Sequence, residues 1–360
     1  MNKKPKIFLI IFKYFPFGGA QRDMLYFAND LVSKNYVVEI LTMDWQGPKP
    51  SNIKIHLFKS NSFFNYIKYL KFKNKVKNFL ASQINFYSVT FSKISGFDYY
   101  YAADSCLIKR IKFNFQKFLP RYRNFLHEES HIFNQDSMTK ILYISESEKK
   151  IYENYYGRNN RYIFIPPYIR KNFFSPSKSK TNINALLPNP NKKFIVFIGS
   201  GFKTKGLDRA ILAFNSLPNQ IKSEYNFLVI GHDNSNRFNK LIENLRLRDS
   251  VKIIQGHNDI PHVLKESSLL IHPARMENTG LILLEAMAAS IPVLTTDVCG
   301  YSNFVEKDKN SMVLRSPFDQ TLLNRMLKKM LIRKASRASK PNLKKYSAYQ
   351  MGDIFIKSLT

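Results

Sequence analysis

Two glutamates in the second half of the chain, Glu277 and Glu285, have the residue type and spacing that most clearly suggest chemistry. They stand eight positions apart, at the junction of a predicted loop and a predicted helix. If that helix begins at Thr279 or Gly280, its free N–H groups and the positive end of its dipole form a phosphate site. A carboxylate on either side can accept hydrogen bonds from hydroxyls. A phosphate flanked by hydroxyl-bearing groups describes a nucleotide sugar.

Two glutamates around an apolar run also occur on an ordinary amphipathic helix, so the neighbouring loops must decide between these interpretations. The first loop contains the pair Gly18 and Gly19, which lets the backbone approach a ligand closely just before a helix. A later loop begins at Gly199 and carries Lys205, a cation that could hold a pyrophosphate. Neither loop has the dinucleotide fingerprint or the Walker pattern.

These loops follow short apolar runs that alternate with helical patterns. The predicted strands are 7–12, 37–42, 53–58, 98–102, 141–144, 162–165, 194–198, 227–230, 251–254, 269–272 and 293–295. The predicted helices are 21–34, 206–217, 237–245, 260–266 and 281–289. Such alternation predicts an α/β protein with two Rossmann-like domains, each a parallel sheet covered on both faces, that face one another across a cleft.

A polar stretch rich in Asn, Ser, Lys and Pro follows Pro166 and Pro167 and extends to about Lys193. Few contacts should cross such a stretch, so it marks a domain boundary. We expect an N-terminal domain over residues 1–170 and a C-terminal domain over residues 171–342.

Length and composition agree with two ordinary domains, because 360 residues with 44% hydrophobic content can form two cores. Cys106 and Cys299 are the only cysteines and provide no disulfide framework, which favours a reducing compartment. The first apolar run, 7–12, is too short for a signal peptide or a membrane span. We therefore expect a cytoplasmic protein.

The net charge is +30, and the first half carries a concentrated basic surface, with no carboxylate between Trp45 and Phe97. Such a surface attracts nucleic acid, anionic lipid head groups or a phosphorylated saccharide. Between residues 107 and 126, apolar side chains recur every three or four positions among cations, a pattern typical of a helix in a membrane interface. A domain helix with a solvated basic face is the alternative, and Pro120 predicts two shorter helices in either case. The candidate membrane-binding residues are Lys109, Arg110, Lys112, Lys117, Arg121 and Arg123.

A metal site is not expected from this sequence. The chain contains no Asp-x-Asp pair, which would supply metal ligands for a nucleotide sugar. His127 and His131 stand one helical turn apart beside Glu128 and Glu129, but no third ligand is evident. We expect no cofactor, with a lysine and a helix dipole serving in place of a metal cation.

Three features together resemble the retaining glycosyltransferases of family 4, which have the two-domain GT-B fold. They are the Gly-Gly pair after the first strand, the Lys-Gly pair after the first strand of the second domain, and the Glu-x7-Glu spacing. Segments 13–23, 100–104 and 283–301 are similar to the members that add glucose to the inner core of lipopolysaccharide at the cytoplasmic membrane face. In this fold the last helix, here about 343–360, returns to the first domain.

The resemblance implies a role for each matching residue. Glu277 would accept hydrogen bonds from the donor sugar, Lys205 would neutralise the leaving diphosphate, and Glu285 would bind the ribose. Asp23 and Asp104 would face the sugar and the acceptor, which makes these two, with Glu277 and Lys205, the implied catalytic residues. The implied donor-binding residues are Gly18, Gly19, Gly199, Lys205, His257, Glu277, Asn278, Thr279, Gly280 and Glu285.

Two positions depart from the relatives, since Thr204 and His257 stand where those enzymes carry arginine. The leading hypothesis is a membrane-associated retaining hexosyltransferase that moves glucose from UDP-glucose to a phosphorylated lipopolysaccharide core. A second hypothesis keeps the fold and changes the UDP-sugar and the acceptor, as in O-antigen or capsule synthesis. A third, a nucleic-acid-binding protein, explains the charge but leaves Glu277, Lys205 and Glu285 unexplained, so no nucleic acid partner is expected.

Overall fold

The computed structural model describes residues 4–16, 18–111, 113–175, 182–333 and 342–359. The chain forms two compact units, one extending to Pro166 and resuming at Tyr349, the other spanning Pro167–Ala348. Residues 167–170 and 343–348, which we expected in the first unit, therefore lie in the second. The reason is packing, because Ile169 and Leu343 are buried in the core of the second unit.

The first unit contains a seven-stranded parallel sheet in the order β3-β2-β1-β4-β5-β6-β7. Its strands are β1 Lys6–Tyr14, β2 Val38–Trp45, β3 Lys54–Leu57, β4 Phe86–Thr90, β5 Tyr99–Ala102, β6 Lys140–Tyr143 and β7 Tyr162–Phe164. Its first helices are α1 Gly19–Ser33, α2 Asn65–Ala81, α3 Leu107–Arg110, α4 Pro120–Phe133 and α5 Glu146–Tyr156, with a 3-10 helix at Asn114–Phe118.

Helices cover both faces of this sheet, which explains why its central strands read as continuous apolar runs. Ile7 and Leu9 of β1 pack on one face in the cluster that contains Phe27 of α1. Phe8 and Ile10 alternate with them and pack on the other face, in the cluster that contains Phe72 of α2. The alternation follows from the two-residue repeat of a strand.

The second unit contains a six-stranded parallel sheet in the order β10-β9-β8-β11-β12-β13. Its strands are β8 Lys193–Ile198, β9 Tyr225–Ile230, β10 Val251–Ile254, β11 Leu269–His272, β12 Val293–Thr296 and β13 Met312–Leu314. Its helices are α6 Lys171–Phe174, α7 Phe202–Lys205, α8 Leu207–Asn215, α9 Asn219–Lys222, α10 Asn236–Asn244, α11 Ile260–Glu266, α12 Leu281–Ala288, α13 Ser302–Val305 and α14 Gln320–Ile332, with 3-10 helices at Ile183–Leu186 and Lys344–Ser347.

The strand order reverses once in each sheet, between β1 and β4 in the first unit and between β8 and β11 in the second. In open α/β sheets, ligands bind beyond the carboxyl ends of the strands at such a reversal, where the two following loops diverge. In the second unit the two loops at this point are residues 199–201 after β8 and residues 273–280 after β11.

The final helix, α15 Met351–Lys357, packs on the first unit. The ring of Phe355 meets Phe27 at 5.2 Å and Tyr99 at 4.8 Å, both edge to face. Gly352 lies against α1 so closely that a Cβ there would stand 1.9 Å from the Asp30 carboxylate. A helix from the end of the chain thus completes one face of the first sheet.

The α/β fold with two parallel sheets is confirmed, and the predicted strands agree with the observed ones within about three residues. The predictions missed β4, β13 and the helices α2, α5 and α14, and also the short helices α6, α7, α9 and α13. Pro120 divides residues 107–126 as expected, because it is the first residue of α4, where its missing N–H costs no hydrogen bond. No helix within the described ranges is long and apolar enough to span a bilayer.

Candidate functional site

Loops from neighbouring strands meet at the carboxyl edge of the second sheet. The Phe202 N–H after β8 donates to the Asp233 carboxylate after β9 at 2.7 Å, and the His232 N–H donates to Ser200 Oγ at 3.1 Å. The Tyr301 N–H, after β12, donates to the Thr279 carbonyl at 2.8 Å. These hydrogen bonds fix a continuous rim around the reversal point.

Lys205 and Glu277 form an ion pair at the centre of this rim. Lys205 is the last residue of α7, and Glu277 lies in the loop after β11, so the reversal of strand order brings them together. Both side chains are largely buried, with 23% of Lys205 and 11% of Glu277 exposed. Burial lowers the pKa of the Lys205 ammonium to about 8, with an opposing contribution from the nearby Cys299. The lysine is therefore a cation at neutral pH that keeps access to solvent.

The start of α12 lies directly beside this pair. Gly280 is the N-cap residue and has a left-handed φ of 78°, a conformation that glycine adopts without strain. No side chain caps this helix, and the Leu283 N–H donates to the Gly280 carbonyl at 2.9 Å, which leaves the N–H groups of Leu281 and Ile282 to other acceptors. Glu285 lies on the second turn and is 7% exposed. The helix begins at Leu281, the first residue of the predicted helix 281–289, with Gly280 as its N-cap residue.

The turn that carries Lys205 is held against the loop after β11 by backbone and side-chain contacts. The Arg275 N–H donates to the Thr204 carbonyl at 2.8 Å. The Arg275 guanidinium bonds Asp208 in bidentate fashion at 2.6 and 2.7 Å. Gly206 is required here, because a Cβ would stand 2.1 Å from the Pro273 carbonyl oxygen. Arg275 thus brings a guanidinium to the turn that carries Thr204 and Lys205.

His272, the last residue of β11, stands behind Glu277. Its Nε2 is 3.4 Å from Glu277 Oε2, and only 1% of the side chain is exposed. Burial, with a smaller contribution from the Lys205 charge, lowers the pKa of His272 to about 3, so the imidazole is neutral. Sequence reasoning did not place this histidine at the site. Its spacing of five residues before Glu277, across a Pro turn, was the available signal.

The remaining donor-binding candidates of this unit occupy the same edge at different distances from the ion pair. Asn278 and Thr279 continue from Glu277 toward α12, and Gly199 directly follows β8. His257 lies in the loop after β10, the edge strand, where its Nδ1 accepts from the Asp259 N–H at 3.1 Å. Thus His257 stands at the far side of the rim from β11.

The candidates of the first unit lie at the carboxyl edge of its own sheet. Gly18 is the N-cap residue of α1, and space is open around the Cα of Gly19, with nothing within 4 Å of where a Cβ would stand. Asp23 accepts from the Tyr101 hydroxyl at 2.9 Å, and burial raises the pKa of its carboxyl. Asp104 is exposed, with its carboxylate 3.4 Å from the Tyr100 hydroxyl.

The 107–123 segment, which comprises α3, the 3-10 helix and the first residues of α4, presents cations and aromatic rings to solvent. Phe113, Phe115 and Phe118 are 59%, 63% and 81% exposed. The exposed cations are Lys109, Arg110, Lys117, Arg121 and Arg123. The candidate Lys112 lies outside the described residues.

A buried carboxylate holds the start of this segment. Glu129 of α4 is fully buried and accepts from the N–H groups of Leu107 at 2.7 Å and Ile108 at 3.2 Å. Lys93 neutralises the carboxylate at 2.5 Å, and the Tyr156 hydroxyl adds a bond at 2.9 Å. Glu129 therefore belongs to a fixed polar network rather than to a metal site. Among the described residues no cluster of three or more His, Cys, Asp or Glu has the arrangement of metal ligands.

The site in the second unit combines a partly exposed cation, a helix N-terminus and carboxylate acceptors. Such an arrangement can bind a diphosphate through the cation and the N–H groups, and hydroxyls through the carboxylates. It can also stabilise the negative charge that develops on a departing phosphate.

Comparisons with known proteins agree with this chemistry. The family model for glycosyl transferases group 1 matches residues 178–347. Lipopolysaccharide glucosyltransferase WaaG of Escherichia coli strain K12 is 31% identical over 331 residues, which cover 89% of this chain and 88% of the relative.

Solved structures extend the likeness to the fold. A crystal structure of WaaG superimposes with a TM-score of 0.89 at 28% identity over 98% of this chain and 99% of that one. Anabaena HepE, solved with UDP-glucose, has a TM-score of 0.72 over 99% of both chains, and at 14% identity that likeness concerns the fold alone. The chain therefore belongs to the family 4 glycosyltransferases of the GT-B fold.

Proposed function

We propose that this glycosyltransferase moves a hexose, glucose from UDP-glucose, onto the phosphorylated inner core of lipopolysaccharide with retention of configuration. The observation that carries the proposal is the Lys205–Glu277 ion pair beside the start of α12, at the reversal of the second sheet. The identity to WaaG, a lipopolysaccharide glucosyltransferase by name, supports the choice of sugar and acceptor.

Donor binding rearranges the ion pair. The diphosphate carries more negative charge than one carboxylate, so it attracts the Lys205 ammonium away from Glu277. The N–H groups at the start of α12 bind the same phosphates. The Glu277 carboxylate, released from the lysine, then accepts hydrogen bonds from the hexose hydroxyls.

The chemical step breaks the bond between the sugar carbon and the diphosphate oxygen, so negative charge grows on that oxygen. Lys205 and the helix N-terminus stabilise this charge without moving far, which is how a preorganised site lowers a barrier. Glu285 binds the ribose hydroxyls from the second turn of α12. This arrangement requires no metal ion, and Asp23 and Asp104 contribute to recognition of the acceptor.

The 107–123 segment binds the anionic cytoplasmic face of the inner membrane as a peripheral contact. Its exposed phenylalanines insert at the boundary between the head groups and the acyl chains of a bilayer. Its cations pair with lipid phosphates and with the phosphates of the acceptor. The network around Glu129 keeps the start of the segment folded while its outer face is exposed. A solvated basic face of an ordinary domain helix would not need three exposed phenylalanine rings.

The donor is tested by slow hydrolysis and by calorimetric titration with UDP-glucose, UDP-galactose and UDP-N-acetylglucosamine. We expect turnover and tightest binding with UDP-glucose, and transfer to a phosphorylated core oligosaccharide. Preference for another sugar would refute the donor assignment and favour a related transferase of O-antigen or capsule synthesis. Tight binding of nucleic acid at physiological salt without turnover of any UDP-sugar would refute the function itself.

A further inference from the structure

We propose that His272 is a positioning residue for Glu277. Its Nε2–H holds the Glu277 carboxylate in place when Lys205 turns from that carboxylate to the donor diphosphate. The inference rests on the proposed function, because it assumes that Glu277 contacts the donor sugar.

The geometry gives His272 this position. Its imidazole stacks on Phe197 at 5.8 Å, with 22° between the rings, and its carbonyl accepts from Thr295 Oγ1 at 3.0 Å. Phe197 therefore holds one face of the imidazole, and Thr295 holds the backbone of His272. The same atom, Glu277 Oε2, receives both Lys205 Nζ and His272 Nε2. One carboxylate oxygen thus has a charged partner that reaches solvent and a neutral partner that does not.

The hydrogen-bond partners assign the tautomer. A neutral imidazole carries one N–H, and a carboxylate only accepts hydrogen bonds. His272 Nδ1 is buried and has no hydrogen-bond partner among the described residues, whereas Nε2 faces the carboxylate. Placing the proton on Nε2 makes a bond to a charged acceptor and leaves only a lone pair unsatisfied on Nδ1. The opposite tautomer would bury an N–H without an acceptor and aim a lone pair at a negative charge.

Donor binding requires such a partner. When Lys205 moves to the diphosphate, the Glu277 carboxylate loses its ion pair while it remains largely buried. The carboxylate could then rotate toward other donors of the rim and lose the sugar hydroxyls. His272 cannot follow the lysine, because it is neutral and fixed at the end of β11. Its hydrogen bond therefore persists and keeps Glu277 aimed at the sugar.

A matched set of variants tests this role. His272→Phe keeps a ring of similar size against Phe197 and removes the donor. His272→Gln places an amide N–H at the level of Nε2, whereas His272→Asn places it at the level of Nδ1, out of reach of Glu277. Dissociation constants for UDP-glucose and for UDP, together with the rate constant for donor hydrolysis, are measured for each variant and for the wild type.

We expect His272→Phe to weaken UDP-glucose binding and to slow hydrolysis by about tenfold to a hundredfold, the effect of one hydrogen bond to a charged group. Binding of UDP, which lacks the sugar, should stay within about twofold. His272→Gln should recover most of the loss and His272→Asn should not. In a Glu277→Ala background, His272→Phe should leave UDP-glucose binding unchanged, because its partner is gone.

Wild-type affinity for UDP-glucose and wild-type hydrolysis in His272→Phe would overturn the inference, as would an equal loss for UDP and UDP-glucose. If His272→Phe fails to fold, the Gln and Asn variants decide, and equal activity of these two would overturn the role. A wild-type protein that binds UDP but turns over no UDP-sugar would refute the proposed function instead.

Discussion

The charge of Lys205 should control the alkaline limit of the enzyme. Burial lowers the pKa of this lysine from its usual value to about 8, so the free enzyme loses the cation as pH rises through that value. Because the charged form attracts the diphosphate, kcat/KM should be highest below pH 8 and should fall above it. The ratio kcat/KM falls with rising pH because deprotonation removes the positive charge that attracts the diphosphate.

The size of the effect follows from the fraction of charged lysine. With a pKa of about 8, this fraction is about nine tenths at pH 7 and about one tenth at pH 9. The ratio kcat/KM, which reports groups of the free enzyme, should therefore fall about tenfold across that interval. At a saturating donor concentration the bound diphosphate favours the charged lysine, so kcat should begin to fall at a higher pH than kcat/KM.

Two variants isolate the lysine. Lys205→Arg keeps a cation that does not lose its proton in this range, so its profile should be flat even if its rate is lower. Lys205→Met removes the charge and should reduce kcat by about a hundredfold to a thousandfold with no break near pH 8. The assay is initial-rate donor hydrolysis from pH 6 to about pH 9.5, with circular dichroism at each pH to exclude unfolding. A flat wild-type profile, or the same break in Lys205→Arg, would refute the reasoning.

Four further perturbations test other parts of the structure. Gly280→Ala places a residue with a Cβ at a left-handed φ of 78°, with that Cβ 3.2 Å from Leu283. Calorimetry should therefore show a loss of about 1–2 kcal/mol in the free energy of unfolding. Unchanged stability would contradict the N-cap geometry. Gly19→Ala meets nothing within 4 Å and should leave Tm unchanged while transfer slows, whereas full transfer would show that no ligand approaches there. Glu129→Gln leaves Lys93 buried without its carboxylate and should cost about 3–5 kcal/mol in urea unfolding, so a shift below about 1 kcal/mol would count against the network. Neutralising three cations of the 107–123 segment should weaken partitioning to anionic vesicles by about 1 kcal/mol per charge. Three exposed cations of the second unit serve as the control. Equal effects of the two sets would argue against a specific membrane surface. The three in the segment are Lys109, Arg110 and Lys117. The three controls are Lys240, Lys265 and Lys329.

The sequence could predict features that depend on local pattern. Strands such as β8 and β11 are apolar on both faces, and each is followed by a turn that contains glycine or proline. The sequence therefore predicted both the strands and the positions at which they end. The helix α12 was readable because Gly280 precedes a continuous apolar run. The α2 helix was missed because its buried positions are separated by many lysines, and β4 was missed because it carries polar residues. Ser88 of β4 is buried only because Asp98 accepts from its N–H and hydroxyl at 2.8 and 2.6 Å.

Contacts between side chains from neighbouring strands could not be predicted from local sequence patterns. Lys205 and Glu277 are far apart in sequence and meet only because β8 and β11 are neighbours. Residue types and the family resemblance named both side chains, but strand order determines that they touch. His272 shows the same limit more strongly, since its sequence context is that of a packed strand end. In the folded chain, one nitrogen of His272 faces a carboxylate and the other has no partner among the described residues.

The return of α15 to the first unit has a consequence for synthesis of the chain. The first unit is discontinuous in sequence, since the whole of the second unit is made before Phe355 and its neighbours leave the ribosome. Until then Phe27 and Tyr99 lack one of the rings that cover them, and one face of the first sheet stays incompletely shielded from water. The second unit is continuous and can complete its core first, which reverses the usual order of domain completion on the ribosome. A chain truncated before residue 349 should therefore hold a protease-resistant second unit and a protease-sensitive first unit.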